Sequence, residues 1–290
     1  MFKGSMAALV TPFKNGSVDE KAIERLVEFH IENRTSALVP CGTTGESATI
    51  SYEEHDRVIE LVIKFAKGRI PVIAGTGSNS TEEAIMMTRH ARKAGADGSL
   101  QVSPYYNRPT QKGLYLHFKA IAEAVDIPII LYNIASRTGV NIEPETIARL
   151  AEIKNIVGVK EASGSLDQMS RIISLCPKNF TLLSGDDSLT LPIMSIGGRG
   201  VISVVANIVP RDVVDMVDFF EKGKNEEARR LHYRLLGLTK ALFIETNPIP
   251  VKTAMGLMKM IDPELRLPLC EMLPENKEKL VKALKDYKLI

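Results

Sequence analysis

Short apolar runs rich in β-branched residues recur along the chain, and longer amphipathic stretches separate them. Most of these runs are apolar at consecutive positions, which is typical of parallel strands that are covered on both faces. The pattern predicts eight strands, at residues 6–10, 37–40, 70–74, 98–102, 127–132, 156–160, 180–183 and 201–204.

Between the strands, apolar residues recur at the spacing of a helix face, as Ile23, Leu26 and Val27 do in the first stretch. Ser80 and Thr81 before Glu82 and Glu83 form a typical helix start. The predicted helices are residues 19–33, 53–67, 81–94, 143–151, 166–175, 189–196 and 210–222.

Serial strand–helix units imply a parallel sheet with right-handed crossovers. Eight units favour an α/β protein with a closed (β/α)8 TIM barrel, and an open doubly wound sheet is the alternative. After about Gly223 the strands stop, and residues 225–242, 250–260 and 274–287 are predicted helices. We therefore expect a catalytic barrel over residues 1–224 and a small C-terminal helical region over residues 225–290.

Composition then narrows the class of protein. Among 290 residues, 37 Lys and Arg against 35 Asp and Glu leave a formal charge of +2, with no electrostatic footprint for nucleic acid or an anionic membrane. The apolar runs fall far short of the ~20 residues of a membrane span, and no signal peptide is recognisable. Cys41, Cys176 and Cys270 are far apart and lack metal-ligand spacing, which favours a reduced, cytoplasmic setting.

The strongest candidate for chemistry is Lys160, the only lysine within a predicted strand. Active sites of such barrels lie at the C-terminal ends of the strands, where this residue falls. Burial disfavours the charged form of an amine, and a neutral amine can form a Schiff base with a carbonyl. The alternative is a structural ion pair, but Glu161 is expected on the opposite face of the strand.

Two other strand ends carry reactive groups. Tyr132 ends the fifth strand and could shuttle a proton, and Arg137 in the next loop could grip a carboxylate. Thr43 and Thr44 lie between two glycines, in a loop whose hydroxyl and N–H groups could hold a carboxylate or phosphate. Each has a common alternative: a packed tyrosine, a solvated arginine and a tight turn.

The remaining polar features suggest neither a metal nor a cofactor. All five histidines are expected in helices, and none has a partner at metal-ligand spacing. Tyr105 and Tyr106 follow the fourth strand, where paired tyrosines more often form an interface or anchor a loop than act in catalysis.

Taken in order, these motifs resemble the dihydrodipicolinate synthase family, whose members are pyruvate-dependent class I aldolases related to N-acetylneuraminate lyase. The resemblance runs from Phe2 to about Leu269. Its motifs are Gly42-Thr43-Thr44-Gly45-Glu46, Ala74-Gly75-Thr76-Gly77, Tyr105-Tyr106-Asn107-Arg108-Pro109, Tyr132-Asn133 with Ser136-Arg137-Thr138-Gly139, Gly158-Val159-Lys160-Glu161-Ala162, Leu183-Ser184-Gly185-Asp186-Asp187 and Asn247-Pro248-Ile249-Pro250-Val251-Lys252.

The resemblance implies a reaction and its catalytic residues. Lys160 would form a Schiff base with pyruvate, and the resulting enamine would attack L-aspartate-4-semialdehyde. The substrate amine would then close the ring and displace Lys160, in the first committed step of the diaminopimelate and lysine pathway. Tyr132 would carry protons, with Thr43 and a neighbouring subunit's Tyr106 completing a hydroxyl relay.

The resemblance also implies binding residues and regulation. Thr43 and Thr44 would hold the pyruvate carboxylate, Gly185 and the backbone at Ile202 would line the site, and Arg137 would bind the semialdehyde carboxylate. The family forms homotetramers, as dimers of tight dimers. Inhibited members bind L-lysine at the tight interface, at positions that here are Ser47, Ala48, Tyr52, His55, Gly77, Asn79, Glu83 and Tyr105.

Two departures from the family pattern stand out. Ala135 replaces the usual proline before Ser136-Arg137, which predicts a less rigid loop. Tyr52 replaces a histidine that inhibited bacterial members often have, which could narrow a lysine pocket as easily as serve it.

Two alternative functions stay open at this point. Other pyruvate aldolases, such as sialic acid or keto-deoxy sugar acid lyases, share Lys160 and Tyr132. They usually have Ser at the position of Thr43 and lack the Ser-Arg-Thr-Gly run, so Thr43 and Arg137 favour the synthase. The other alternative is a ligand-binding barrel without turnover, against which the intact Lys160, Tyr132 and Thr43 argue.

Overall fold

A computed structural model describes residues 2–290 and contains a parallel eight-stranded sheet that is nearly closed into a barrel. In space the order is β4-β1-β10-β9-β8-β7-β6-β5, and an isolated bridge between Leu38 and Val72 links the two end strands. The predicted (β/α)8 TIM barrel is confirmed. Its strands are β1 (Gly4–Ala8), β4 (Ala37–Val39), β5 (Ile73–Gly75), β6 (Gly98–Val102), β7 (Ile129–Asn133), β8 (Ile156–Glu161), β9 (Thr181–Ser184) and β10 (Gly200–Ser203).

The sequence pattern missed a small antiparallel hairpin of β2 (Phe13–Lys14) and β3 (Ser17–Val18) after the first barrel strand. With two residues in each strand, it is too short to show an alternating pattern.

Helices follow the barrel strands, and those that the pattern predicts have ends shifted by a residue or so; the short helix at Ala135–Thr138 lies where the sequence predicted a loop. They are α1 (Glu20–Glu32), α2 (Tyr52–Ala66), α3 (Thr81–Ala94), α4 (Gln111–Ala124), α5 (Ala135–Thr138), α6 (Pro144–Leu150), α7 (Leu166–Leu175), α8 (Thr190–Ser195) and α9 (Pro210–Glu221).

Helix α4 is absent from the predicted set, which was an error. Pro109 and Gly113 give the segment the appearance of a loop. The Thr110 side chain nevertheless caps the helix by accepting a hydrogen bond from Gly113 N–H, and Leu114 and Phe118 begin its buried stripe.

Two apolar clusters hold the barrel together. The inner cluster fills the barrel with side chains such as Met6, Ile130, Tyr132 and Ile202. The outer cluster, which is much larger, lies between the sheet and the surrounding helices. Alternate residues of a strand face alternate clusters, so the strand register decides which side chains can reach a site inside the barrel.

Three further helices form the C-terminal part of the chain: α10 (Asn225–Leu242), α11 (Ile249–Leu257) and α12 (Pro274–Asp286). Leu235, Val251 and Leu280 from these helices belong to the outer cluster, so they share one core with the barrel. The division at residues 224 and 225 stays a prediction. Within residues 2–290, no helix combines the length and apolar character needed to cross a bilayer.

Candidate active site

Lys160 lies inside the barrel at the end of β8, where only 6% of its surface is exposed. Its neighbours across the sheet are Tyr132 on β7 and Leu183 on β9, both members of the inner cluster. The Lys160 Nζ atom is 4.1 Å from the centroid of the Tyr132 ring. Among residues 2–290, no carboxylate forms a salt bridge with it, so the amine has aromatic and aliphatic surroundings instead of a counter-charge.

Glu161 faces the opposite side of the strand, as predicted. Its carboxylate is fully buried and accepts hydrogen bonds from Asn133 Nδ2 at 3.0 Å and from Ser163 N–H at 2.7 Å. Gln168 Nε2 donates to it at 3.3 Å. These donors stabilise the carboxylate outside the barrel, on the face of the strand opposite to Lys160.

Gly185 provides the room beside Lys160. A Cβ atom at this position would lie 3.2 Å from Lys160 Cε and 2.7 Å from Ala162 Cβ. Ile202, on the inner face of β10, is also buried. A larger residue at position 185 would therefore crowd the amine of Lys160 or displace its strand.

The loop that carries Thr43 and Thr44 is a single 3-10 turn at Thr43–Gly45, directly after β4. It ends at Glu46, which adopts the left-handed conformation with φ 54°. The Thr11 hydroxyl donates to Gly45 O at 2.7 Å, which fixes the turn to the segment that follows the first strand. Thr43 lines the cavity described below, whereas the neighbouring Thr44 is buried.

Arg137 lies in the short helix α5, which ends at Gly139 in the left-handed conformation, with φ 74°. Its guanidinium donates one hydrogen bond to Asn247 O at 3.1 Å. Ala135, the departure from the family pattern, is the first residue of this helical turn. With alanine in the place of proline, the segment adopts a helical turn, and its rigidity stays a prediction.

A cavity of about 450 Å³ opens beside the mouth of the barrel and brings Thr43 and Arg137 together with Asn247. The same cavity is lined by seven of the eight positions matched to a lysine site: Ser47, Ala48, Tyr52, His55, Gly77, Glu83 and Tyr105. Lys160, Tyr132, Thr44, Gly185 and Ile202 are not part of its lining.

Charge in the outer part of this cavity is set by Glu83, whose carboxylate accepts a hydrogen bond from Ser78 Oγ at 2.7 Å. The Glu83 carboxylate raises the pKa of Tyr52. Burial lowers the pKa of His55, whose Nε2 lies 2.8 Å from Gly75 O. This part of the cavity therefore combines the Glu83 carboxylate with hydroxyl, phenol and imidazole groups.

Tyr106 is 92% exposed and has a left-handed backbone with φ 69°. The loop around it is fastened by Asn79, which donates from Nδ2 to Tyr105 O at 3.2 Å and accepts at its own backbone O from Asn107 Nδ2 at 2.8 Å. Asn79 itself does not line the cavity. Within this single chain, the Tyr106 side chain is therefore almost fully open to solvent.

Several structural residues of the site carry no role in the sequence predictions. Asn247 Nδ2 donates to Thr44 Oγ1 at 3.0 Å, and Lys252 Nζ lies 2.6 Å from a Glu46 carboxylate oxygen. Asp187 accepts hydrogen bonds from Ser203 Oγ and, at 2.9 Å, from Val204 N–H, while burial raises its pKa to about 6. The contacts of Asn247 and Lys252 join segments 203 and 206 residues apart, so the only available signal was the occurrence of these residues in family motifs.

All five histidines lie in helices, as predicted: His30, His55, His90, His117 and His232. Within residues 2–290, no group of three or more His, Cys, Asp or Glu side chains is arranged to hold a metal ion.

This geometry can be compared with known proteins. The chain is 61% identical, over the full length of both chains, to the 4-hydroxy-tetrahydrodipicolinate synthase of Geotalea uraniireducens. The chloride-inhibited dihydrodipicolinate synthase of Acinetobacter baumannii, complexed with pyruvate, has a similar structure, with a TM-score of 0.98, 47% identity and full coverage of both chains. The lysine-bound enzyme of Cyanidioschyzon merolae matches with a TM-score of 0.96 and 44% identity, over 100% of this chain and 99% of that chain. Residues 1–287 match the Dihydrodipicolinate synthetase family, and the chain belongs to that family.

Proposed function

We propose that the chain is a 4-hydroxy-tetrahydrodipicolinate synthase that condenses pyruvate with L-aspartate-4-semialdehyde through a Schiff base on Lys160. The observation that carries this proposal is an amine buried inside the barrel, over the ring of Tyr132, with no carboxylate to pair it. The name of the relative from Geotalea uraniireducens supports the choice of reaction.

The first half of the reaction needs a nucleophile and a proton carrier. The Lys160 amine attacks the keto carbon of pyruvate, and loss of water leaves an imine. Loss of a methyl proton then gives the enamine. We assign the proton transfers of these steps to Tyr132, whose ring lies against the amine. Thr43 and the partner subunit's Tyr106 complete the relay.

Pyruvate itself is held by the groups around this amine. Thr43 and Thr44 bind its carboxylate through hydroxyl and N–H groups, which a turn with two free donors can do. Gly185 leaves space for the methyl group, and the backbone at Ile202 closes the other side.

Arg137 binds the carboxylate of the semialdehyde. Its guanidinium is at the cavity wall, and only one of its donors is occupied by Asn247 O. The enamine carbon attacks the aldehyde, and the amine of this second substrate then attacks the imine carbon, which closes the ring and releases Lys160.

A coupled assay with pyruvate and L-aspartate-4-semialdehyde tests this function, with sialic acid as the competing substrate. We expect turnover of the first pair and none of sialic acid. Arg137→Ala should raise the KM for the semialdehyde about tenfold or more, since a charge-assisted hydrogen bond is worth ~1.5–3 kcal/mol, while pyruvate still traps on Lys160. Cleavage of sialic acid would assign the chain to the lyases, and absence of any pyruvate adduct would make it a binding protein.

We also propose a homotetramer, built from two tight dimers across which Tyr106 reaches the neighbouring site. The exposure of Tyr106 and the fastening of its loop by Asn79 support this arrangement. Sedimentation of the active enzyme is the test, and a fully active monomer at assay concentration would contradict the shared site.

Inhibition by L-lysine in the outer cavity is part of the same proposal. Glu83 supplies a carboxylate for an ammonium group, Tyr105 can contact a carboxylate, and His55 lines the pocket. Asn79, which belongs to the matched set, lies outside the lining and holds Tyr105 by its backbone oxygen. Lysine should inhibit partially, and Glu83→Ala should abolish inhibition while leaving uninhibited turnover nearly intact. A flat rate up to saturating lysine, with no binding by calorimetry, would assign these residues to interface packing.

We place the enzyme in the cytoplasm, since its pathway and its three free cysteines fit a reducing compartment.

A further inference from the structure

We propose that Asn247 is a positioning residue that sets the direction of the Thr44 hydroxyl and holds the guanidinium of Arg137. One residue from the C-terminal part of the chain then connects the two groups that bind substrate carboxylates. The inference rests on the proposed function, which gives pyruvate to Thr44 and the semialdehyde to Arg137. It adds a residue, and a part of the chain, to that site.

The first step concerns the polarity of a hydrogen bond. Asn247 Nδ2 lies 3.0 Å from Thr44 Oγ1, and both side chains are buried. An amide nitrogen can only donate, so the Thr44 oxygen accepts this bond. The single proton of the hydroxyl is then left for another acceptor. An ionised carboxylate only accepts hydrogen bonds, so the contact with Asn247 leaves the Thr44 hydroxyl free to donate to the carboxylate of pyruvate.

The second step concerns the backbone of the same residue. Asn247 O accepts a hydrogen bond from the Arg137 guanidinium at 3.1 Å. A guanidinium has five donors in a fixed plane, so one bond to a fixed carbonyl orients the others. The side chain of Asn247 therefore acts on one carboxylate site while its main chain acts on the other.

The third step explains why Asn247 is rigid enough to do this. Five residues further along, Lys252 forms a buried ion pair with Glu46, which belongs to the same loop as Thr44. Lys252 also donates to Thr11 O at 3.0 Å. The segment 247–252 is thus attached to the loop of Thr44 at both of its ends, by Asn247 to Thr44 and by Lys252 to Glu46.

The other end of the amide supports a functional role. Asn247 Oδ1 is buried and has no hydrogen-bond partner, although its residue lines the cavity shared with Thr43 and Arg137. A buried acceptor without a partner costs folding free energy, so such groups are uncommon unless a site requires them.

The experiment is a double-mutant cycle between Asn247→Ala and Thr44→Val. The readout is the pyruvate concentration that gives half-maximal trapping by borohydride, together with the KM and kcat for both substrates. Each single variant should raise the half-saturating pyruvate concentration about three- to tenfold, the range for one hydrogen bond. The double variant should match the worse single variant, because Asn247 acts through the Thr44 hydroxyl.

Two further variants separate this role from a general loss of structure. Asn247→Asp keeps the shape but can only accept, so it should raise the half-saturating concentration more than Asn247→Ala does. Asn155→Ala is the matched control: Asn155 caps the carbonyls of Ala122 and Val125 just before β8, at the opposite end of the barrel. It should lower stability and leave the KM values unchanged.

Independent effects, in which the double variant shows the product of the two single changes, would overturn the inference. So would an unchanged half-saturating concentration in both Asn247 variants. Failure of the proposed function has a different signature, because the wild-type chain would then trap no pyruvate at all.

Discussion

Two lysines are buried in the part of the chain that the structure describes, Lys160 and Lys252, and their surroundings differ in one respect. Lys252 Nζ lies 2.6 Å from a Glu46 carboxylate oxygen, 3.0 Å from Thr11 O and 4.2 Å from the centroid of the Phe13 ring. Lys160 has an aromatic ring at a similar distance, but neither of the oxygen partners. Both lysines are buried, but only Lys252 has a carboxylate partner.

The difference shows why a buried lysine is not by itself a catalytic residue. Burial lowers the pKa of Lys252, while the charge of Glu46 acts in the opposite direction and holds the ammonium in place. An ammonium fixed by two acceptors has no lone pair to give to a carbonyl. Lys160 is free of such partners and faces the space left by Gly185, which suits a nucleophile.

The sharpest test of this comparison is substitution of Lys160. Lys160→Arg keeps a cation but removes the nucleophile, so turnover should fall by at least about a thousandfold. Borohydride with pyruvate should label the wild type on Lys160 alone, as shown by peptide mapping. The free energy of unfolding should change far less than it does in the Lys252 variants described next.

An adduct mapped to Lys252 would break the comparison, since it would mean that the paired amine is the reactive one. Turnover of Lys160→Arg at the wild-type rate would also contradict it.

The next largest effect is expected on stability, from Lys252→Met. This variant leaves the buried Glu46 carboxylate without its partner, so the free energy of unfolding should fall by about 3–5 kcal/mol. Adding Glu46→Gln should restore a large part of the loss, because the uncompensated charge is then removed. Denaturant unfolding of the four proteins gives the coupling between the two residues.

Pyruvate trapping on Lys160 should survive in the double variant, at a higher half-saturating concentration because the loop of Thr44 is less well held. If Lys252→Met cost no stability, the pair would not be the structural anchor that its burial indicates.

These two lysines also show what could be predicted from the sequence. Lys160 was found because its signal is local: a charged residue at the end of an apolar run, in a repeating strand–helix pattern. The partner of Lys252 lies 206 residues away, and the contact of Asn247 with Thr44 spans 203 residues. No periodicity reports such contacts, so these residues were known only as parts of a family motif.

The misses in secondary structure have a similar explanation. Helix α4 begins beside Pro109 and Gly113, whose local preferences favour a loop, and tertiary burial of Leu114 and Phe118 outweighs them. The cavity that joins Arg137 to Glu83 was not predicted either, because it depends on how separate loops meet.

The smallest effect concerns His30, another buried base without a counter-charge. Burial lowers its pKa to about 3, its Nδ1 lies 3.0 Å from Thr35 Oγ1, and its Nε2 has no partner. The unfolded chain, with an ordinary histidine pKa near ~6.5, binds more protons between about pH 6.5 and 3, so stability falls as the pH falls. From pH 6 to 5 the contribution of His30 to this loss of stability should be roughly 1 kcal/mol, and His30→Asn, which can still contact Thr35, should remove it.

His232→Asn is the control, because His232 is less buried and should change the slope less. Equal pH slopes in wild type and His30→Asn would show that burial without a counter-charge does not keep a proton from this base.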